Sequence, residues 1–96
     1  MIELEIETKS QIKEPKTYLV FMLNDDYTTW EFCIDIITSV FFKTVQEADN
    51  ITHDIHTKGK GLCGAYTYEI AETKASIVER EARKEGFPMK CSIEEV

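Results

Sequence analysis

The chain has 96 residues, 43% of them hydrophobic, and a net charge of −7 from 11 basic and 18 acidic side chains. This length predicts one domain with a single modest core, and the acidic balance disfavours nucleic acids and anionic membranes as partners, because both reward a basic face. No apolar stretch approaches the roughly 20 residues that span a bilayer, and the acidic, alternating start is unlike a secretory signal. The three scattered cysteines indicate reduced thiols. We therefore expect a cytoplasmic protein.

The first 16 residues differ in composition from the rest. They are rich in charge and hold few large apolar groups, which predicts a flexible N-terminal extension that ends near Pro15. Because Ile2, Leu4 and Ile6 alternate with acids, an added edge strand is the alternative for this segment. Residues 17–96 are then expected to form the folded core.

Apolar spacing and turn residues divide the first half of this core into elements. A continuous apolar run predicts a buried strand at residues 17–23. A first helix follows, with Thr28 or Thr29 as its cap and an inward apolar stripe. A second helix begins at a Thr44 cap and ends before a turn with two glycines at residues 56–61.

The second half of the core continues with a strand at residues 62–67 and a third helix from residue 68 to about residue 84. Gly86 suits the C-cap of this helix and Pro88 prevents its continuation. A short last strand at residues 89–93 completes the order β-α-α-β-α-β. We therefore expect an α+β domain, in which three helices pack on one side of a three-stranded antiparallel sheet.

Three short polar side chains follow the first strand: Asn24, Asp25 and Asp26. Two carboxylates and an amide at the end of a strand form a compact cluster of hydrogen-bond acceptors. Such a cluster suits a small cation, which is either a metal ion or a protonated amine. The pattern leaves both open, together with a purely structural role, since Asn and Asp favour turns and caps in any case.

Six segments, in the same order and at similar spacings, resemble the ClpS family, the bacterial adaptors of the Clp protease. Over residues 17–96 they are the first strand with Asn24-Asp25-Asp26-Tyr27-Thr28, then Glu31-Phe32, His56-x-x-Gly59-Lys60, Cys63-Gly64, Glu69-Ile70-Ala71-Glu72-Thr73-Lys74 and Pro88-x-x-Cys91. The family's fold has three strands and three helices, which agrees with the prediction above. The resemblance implies a non-enzymatic adaptor that binds proteins with a bulky apolar N-terminal residue (Leu, Phe, Tyr or Trp) and hands them to a hexameric Clp ATPase of the ClpA or ClpC type for degradation.

The resemblance also implies which residues bind the N-terminal residue. Asn24, Asp25 and His56 match the family's contacts to the amine, and Asp26 lies beside the same ligand backbone. A free α-amino group has a pKa of roughly 7.7–8.0 and is mostly charged near neutral pH, so amide and carboxylate acceptors suit it. The positions that match the family's hydrophobic pocket are Thr28, Trp30, Cys33, Ile34, Thr52, Ile55 and Met89.

Two of these pocket positions depart from the usual family pattern. Trp30 and Thr52 both stand where many members have Met, so one wall residue is larger and the other is smaller and polar. Our hypothesis is that the two changes compensate in volume and keep the pocket filled with a different shape. The ranking among Leu, Phe, Tyr and Trp as first residue, and the exclusion of Ile and Val, are then open.

A second surface is implied by Glu69 and Lys74, which match the family's docking positions for the N-terminal domain of the ATPase. Both are expected to be exposed near the start of the third helix. The N-terminal extension matches the segment that the family uses to engage the ATPase during delivery. No cofactor, metal or nucleic acid is implied, and a monomer is expected.

Two other functions remain open from the residues. One is a domain that binds a Clp ATPase through Glu69 and Lys74 and redirects it without reading N-termini. The other is a small metal- or substrate-dependent enzyme that uses Asp25, Asp26 and His56, although no second ligand pair at metal spacing occurs in the sequence.

Overall fold

The computed structural model describes residues 15–96, so the predicted extension and its edge-strand alternative lie outside the described residues, apart from Pro15 and Lys16. The elements are β1 (Tyr18–Leu23), α1 (Trp30–Val40), α2 (Val45–Lys58), β2 (Lys60–Tyr66), α3 (Tyr68–Lys84) and β3 (Cys91–Glu95). The predicted order β-α-α-β-α-β is confirmed. Within residues 15–96, no helix is both long and apolar enough to cross a membrane.

The three strands form one antiparallel sheet in the order β2-β1-β3, as predicted. β1 is therefore the central strand, and its alternate residues Val20 and Met22 are completely buried. The register with β2 shifts after Val20, because Val20 pairs with Gly64 and Phe21 pairs with Leu62. This leaves Cys63 as the extra residue of a β-bulge.

The core lies where the helices cover the sheet. α3 contributes only small or short side chains to it, at the 4-3-4 spacing of Ala71, Ala75, Val78 and Ala82. Small residues allow the helix to approach its neighbours closely, while larger groups come from elsewhere in the chain, as Met22, Ile37, Ile55 and Met89 show. Each fully buried Val, Ile or Met contributes about 1.5–3 kcal/mol of transfer free energy.

Side-chain caps begin the first two helices. Thr29, one of the two predicted caps of α1, accepts the N–H of Phe32 at 3.1 Å. Thr44 caps α2 through a capping box, in which its hydroxyl accepts the N–H of Glu47 at 3.1 Å and the Glu47 carboxylate accepts the N–H of Thr44 at 2.9 Å.

Four predicted boundaries are wrong by two or three residues: the end of α2, the start of β2 and both ends of the last strand. α2 continues through Lys58, so His56 lies in its last turn and not in the predicted turn at residues 56–61. The helix ends at Gly59, whose φ of 89° is a left-handed conformation that glycine adopts without steric cost. β2 consequently begins at Lys60, two residues earlier than predicted.

The last strand begins two residues later than predicted. Its pairing with β1 begins where Met22 faces Cys91, and this register defines the start of β3. Met89 belongs instead to the segment that leads into the strand, and it is 1% exposed. Tertiary pairing, and not the local apolar pattern, therefore sets this boundary.

Candidate functional site

The loop between β1 and α1 is organised by the carboxylate of Asp25. Its Oδ1 accepts the backbone N–H groups of Tyr27 at 2.8 Å and Thr28 at 2.7 Å, and its Oδ2 accepts the Thr28 hydroxyl at 2.6 Å. Asp favours such a turn because its short side chain reaches the backbone two and three residues ahead. Asp25 thus has the structural role that the sequence pattern had left open.

The surroundings of Asp25 also favour its ionised form. Its partial burial opposes ionisation, but the hydrogen bonds from Thr28 and Tyr27 and the nearby His56 outweigh this effect and lower its pKa below the ordinary 3.8. The carboxylate is therefore ionised at neutral pH and stands close to the imidazole of His56.

Two backbone hydrogen bonds bring this loop to the end of α2 and to the segment before β3. The N–H of Asn24 donates to the carbonyl of Gly59 at 2.9 Å, and the N–H of Leu23 donates to the carbonyl of Lys90 at 2.9 Å. Gly59 ends the helix that carries His56, and Lys90 follows the buried Met89. We call this junction, with Asn24, Asp25 and Asp26 on the loop and His56 on the helix, the strand-end corner.

His56 is held in one orientation by its own helix. Its Nδ1 lies 2.9 Å from the carbonyl oxygen of Thr52, and because a carbonyl oxygen can only accept, this hydrogen bond places a hydrogen on Nδ1. In the neutral imidazole, Nε2 is then the acceptor. Since His56 is exposed, this acceptor can receive a hydrogen bond from a ligand.

Trp30, the first residue of α1, lies against α2. Its ring centroid is 4.9 Å from that of His56, with the ring planes 30° apart, and 6.4 Å from that of His53. Its indole N–H donates to the carboxylate of Asp49 at 3.1 Å. The sequence prediction placed Trp30 at the pocket but missed Asp49. Its spacing from His56 was the available signal, because residues 49, 53 and 56 share one helical face.

The other predicted pocket residues are shielded from solvent to different degrees. Ile34 is half-buried, and the remaining five are at most 8% exposed: Thr28, Cys33, Thr52, Ile55 and Met89. Cavities of about 440 Å³ and 490 Å³ open elsewhere, the first between α2 and β2 and the second beside Phe42. Most of the predicted pocket residues are therefore shielded from solvent.

Two polar groups in this pocket are made inert by their surroundings. The hydroxyl of Thr52 donates to the carbonyl of Ala48 at 2.7 Å, so its polar atom is satisfied inside α2. Burial raises the pKa of the Cys33 thiol to about 11, and the charge of Asp25 adds to the effect. The thiol is consequently neutral near pH 7 and packs as a small apolar group.

The second predicted surface differs from the expectation at one of its two residues. Glu69 is exposed in the first turn of α3, as predicted. Lys74 is half-buried, so the prediction that it is exposed is wrong. Its ammonium donates to the carbonyl of Val40 at 2.7 Å and lies 4.9 Å from the ring centroid of Phe42 and 5.2 Å from that of Tyr66. The cause is the end of α1, where carbonyls without helical partners attract a cation.

The remaining cysteines are free thiols, and the described residues form no cluster of metal-ligating side chains. Burial raises the pKa of both Cys63 and Cys91 to about 12, so neither is a thiolate at neutral pH. Cys63 is completely buried and belongs to the core. Within residues 15–96, no group of three or more His, Cys, Asp and Glu side chains is arranged to hold a metal ion.

The fold and the strand-end corner define a small α+β binding domain. The family model described as ATP-dependent Clp protease adaptor protein ClpS matches residues 13–92, and the chain belongs to this family. It is therefore an adaptor of the Clp protease and not the protease itself. Adaptors of this kind interact with the Clp machinery and its substrates.

Relatives and a solved structure agree with this assignment. Proteins named ATP-dependent Clp protease adapter protein ClpS include one from Nitratidesulfovibrio vulgaris (strain DP4), 48% identical over 92 residues, which are 96% of this chain and 88% of the relative. Another, from Neisseria meningitidis serogroup A, is 51% identical over 82 residues, or 85% and 80% of the two chains. The structure of Agrobacterium tumefaciens ClpS2 bound to L-phenylalaninamide superimposes with a TM-score of 0.83 at 31% identity, covering 86% of this chain and all of that one.

Proposed function

We propose that this adaptor recognises proteins by a free N-terminal amino group on a bulky apolar first residue (Leu, Phe, Tyr or Trp), and that it delivers them to a hexameric Clp ATPase. One observation carries the proposal: the loop with Asn24 and the ionised Asp25 is bonded to the end of the helix that carries His56, whose Nε2 is an acceptor. A protonated amine offers only donors and a positive charge, and this corner offers acceptors and a negative charge.

The three polar residues of the loop, Asn24, Asp25 and Asp26, have different roles in this proposal. Asp25 holds the loop through its three hydrogen bonds and contributes its charge to the site. Within residues 15–96, the side chains of Asn24 and Asp26 make no hydrogen bond, and both residues are exposed. Their acceptors are therefore available to the ligand, Asn24 for the amine and Asp26 for the adjoining backbone.

The ligand of the solved relative supports the same reading. L-phenylalaninamide, bound to Agrobacterium tumefaciens ClpS2, combines a free amine with an apolar aromatic side chain. Each hydrogen bond to a charged group contributes about 1.5–3 kcal/mol, and burial of a Leu or Phe side chain contributes a similar amount. Two or three such contributions, less the cost of immobilising the peptide, correspond to micromolar affinity, about −8 kcal/mol.

Fluorescence anisotropy of labelled peptides that begin with Leu or Phe tests the proposal. We expect saturable binding at micromolar concentration, and no binding of the N-acetylated peptides, because acetylation removes the charge and most of the donors. Equal binding of free and acetylated peptides would exclude amine recognition. An adaptor that redirects the ATPase without reading N-termini would then be the better description.

A pair of variants on α2 tests the role of His56. His56→Ala is expected to weaken binding of a Phe-first peptide about tenfold or more, because it removes one hydrogen bond to a charged group. His53→Ala is the matched control, since it removes the same side chain from the same helix but no amine acceptor. Similar losses in both variants would contradict the assigned role.

The shape of the pocket is a separate part of the proposal. If Trp30 and Thr52 compensate each other in volume, Trp30→Met and Thr52→Met should change peptide affinity non-additively when combined. Additive effects would contradict compensation. Comparable affinities for Phe-first and Ile-first peptides would show that the exclusion of β-branched residues is lost.

A further inference from the structure

The indole of Trp30 spans the face of α2 that carries His56. It bonds to Asp49 through its N–H, at 3.1 Å, and its ring lies 4.9 Å from the ring of His56. These two positions are seven residues apart, or roughly 10 Å along the helix axis. A ring that reaches both must cross the face between them, at residues 52 and 53, and the 6.4 Å separation from the His53 ring agrees with this path.

One residue assigned to the side-chain pocket, Thr52, lies on the helix face beneath this path. Thr52 is completely buried, and Ile55 and Met89 are each 1% exposed. Trp30 itself is 39% exposed, so one side of the ring faces solvent while the other faces α2. The indole therefore lies between solvent and the α2 face that includes Thr52.

We propose that Trp30 is a cover over the pocket and that Asp49 is a positioning residue that holds the cover closed. The inference rests on the proposed function of the pocket. An incoming N-terminal side chain displaces the indole, which breaks the hydrogen bond to Asp49 and the contact with His56. The same movement uncovers the pocket and one face of the imidazole.

This arrangement selects ligands by the size of their first side chain. Opening costs the hydrogen bond and the ring contact, and only a large apolar side chain offsets that cost by its own burial. For every ligand, the observed affinity equals its affinity for the open form multiplied by the fraction of molecules that are open. A first residue such as Ala or Ser offers too little apolar surface to compensate.

Substitution of Asp49 tests the cover with a Phe-first peptide and anisotropy as the readout. Asp49→Ala removes the acceptor and should tighten binding by about two- to tenfold, the range of one exposed hydrogen bond. Asp49→Asn keeps a side-chain oxygen as acceptor and should restore most of the wild-type affinity. Asp54→Ala is the matched control, because it removes the same charge from α2, where Asp54 pairs with Lys58 at 3.4 Å.

A second measurement follows the cover without any ligand. Trp30 is the only tryptophan of the chain, so acrylamide quenching of its fluorescence reports how often the indole is displaced. Quenching should be stronger in Asp49→Ala than in the wild type, and unchanged in Asp54→Ala. If quenching does not change in Asp49→Ala, the cover is refuted whether or not peptides bind, whereas peptides that bind no variant would refute the proposed function alone.

Trp30→Phe gives an independent test, because it keeps an aromatic ring but removes the N–H that bonds to Asp49. It should tighten peptide binding in the same direction as Asp49→Ala. The double variant should bind no more tightly than either single variant, since both remove the same interaction. Weaker binding by Asp49→Ala, or additive effects in the double variant, would make Trp30 a fixed wall of the pocket and overturn the proposal.

Discussion

The strand-end corner and the surface around Lys74 both place charged residues at positions that match family sites, but they use them differently. At the corner, Asp25 bonds to its own loop, and Asn24 and Asp26 beside it stay exposed. At the other surface, Lys74 bonds to the end of a different helix, and Glu69 stays exposed. In each region one charged residue, Asp25 or Lys74, is bonded within the protein. Other polar residues of the same region remain exposed to solvent. A matched position therefore does not tell whether a side chain contacts the partner or holds the residues that do.

The largest effect is expected from separating the two adjacent acids at the corner. Asp25→Ala removes the acceptor of three hydrogen bonds and should lower the free energy of unfolding by about 1–2 kcal/mol, a range typical of a partly exposed capping side chain. Asp26→Ala should change it by less than about 0.5 kcal/mol. Urea unfolding measures both, and peptide anisotropy should show weaker binding in both. Equal stabilities would contradict the structural role of Asp25.

The corresponding pair at the second surface is Lys74 and Glu69. Lys74→Ala removes the bond to the carbonyl of Val40 and should cost about 1 kcal/mol of stability, whereas Glu69→Ala should cost almost none. If these two positions dock the N-terminal domain of the Clp ATPase, as the sequence resemblance implies, both variants should weaken binding to that domain, measured by calorimetry. If Glu69→Ala bound this domain as tightly as the wild type, the proposed docking role of Glu69 would be wrong.

A smaller effect is expected from pH, and it again concerns Asp25. Because its pKa is lowered in the folded state, the ionised carboxylate stabilises the fold above its ordinary pKa of 3.8, and this contribution is lost as the pH falls through the lowered value. Asp25→Asn lacks this titration. The difference in urea midpoint between wild type and variant should be largest at neutral pH and shrink in acid. A difference that does not depend on pH would contradict the lowered pKa.

Local signals were sufficient where the structure is local. The caps at Thr29 and Thr44 and the inward stripe of α1 follow from spacing along one helix, and the structure confirms them. The stop of α2 was misplaced because polar residues before Gly59 resembled a turn, although only the glycine has the left-handed conformation. The start of β3 was misplaced because its register depends on β1.

The sequence by itself determined the order of elements, the family, and which residues are candidates for the strand-end corner, because periodicity, caps and short motifs are properties of neighbouring residues. Only the tertiary structure decided that Asp25 bonds within its own loop, that Lys74 reaches the end of α1, and that Trp30 spans α2 to Asp49. These contacts depend on the distances and directions between packed elements. Such distances are set by the whole core, and no single segment encodes them.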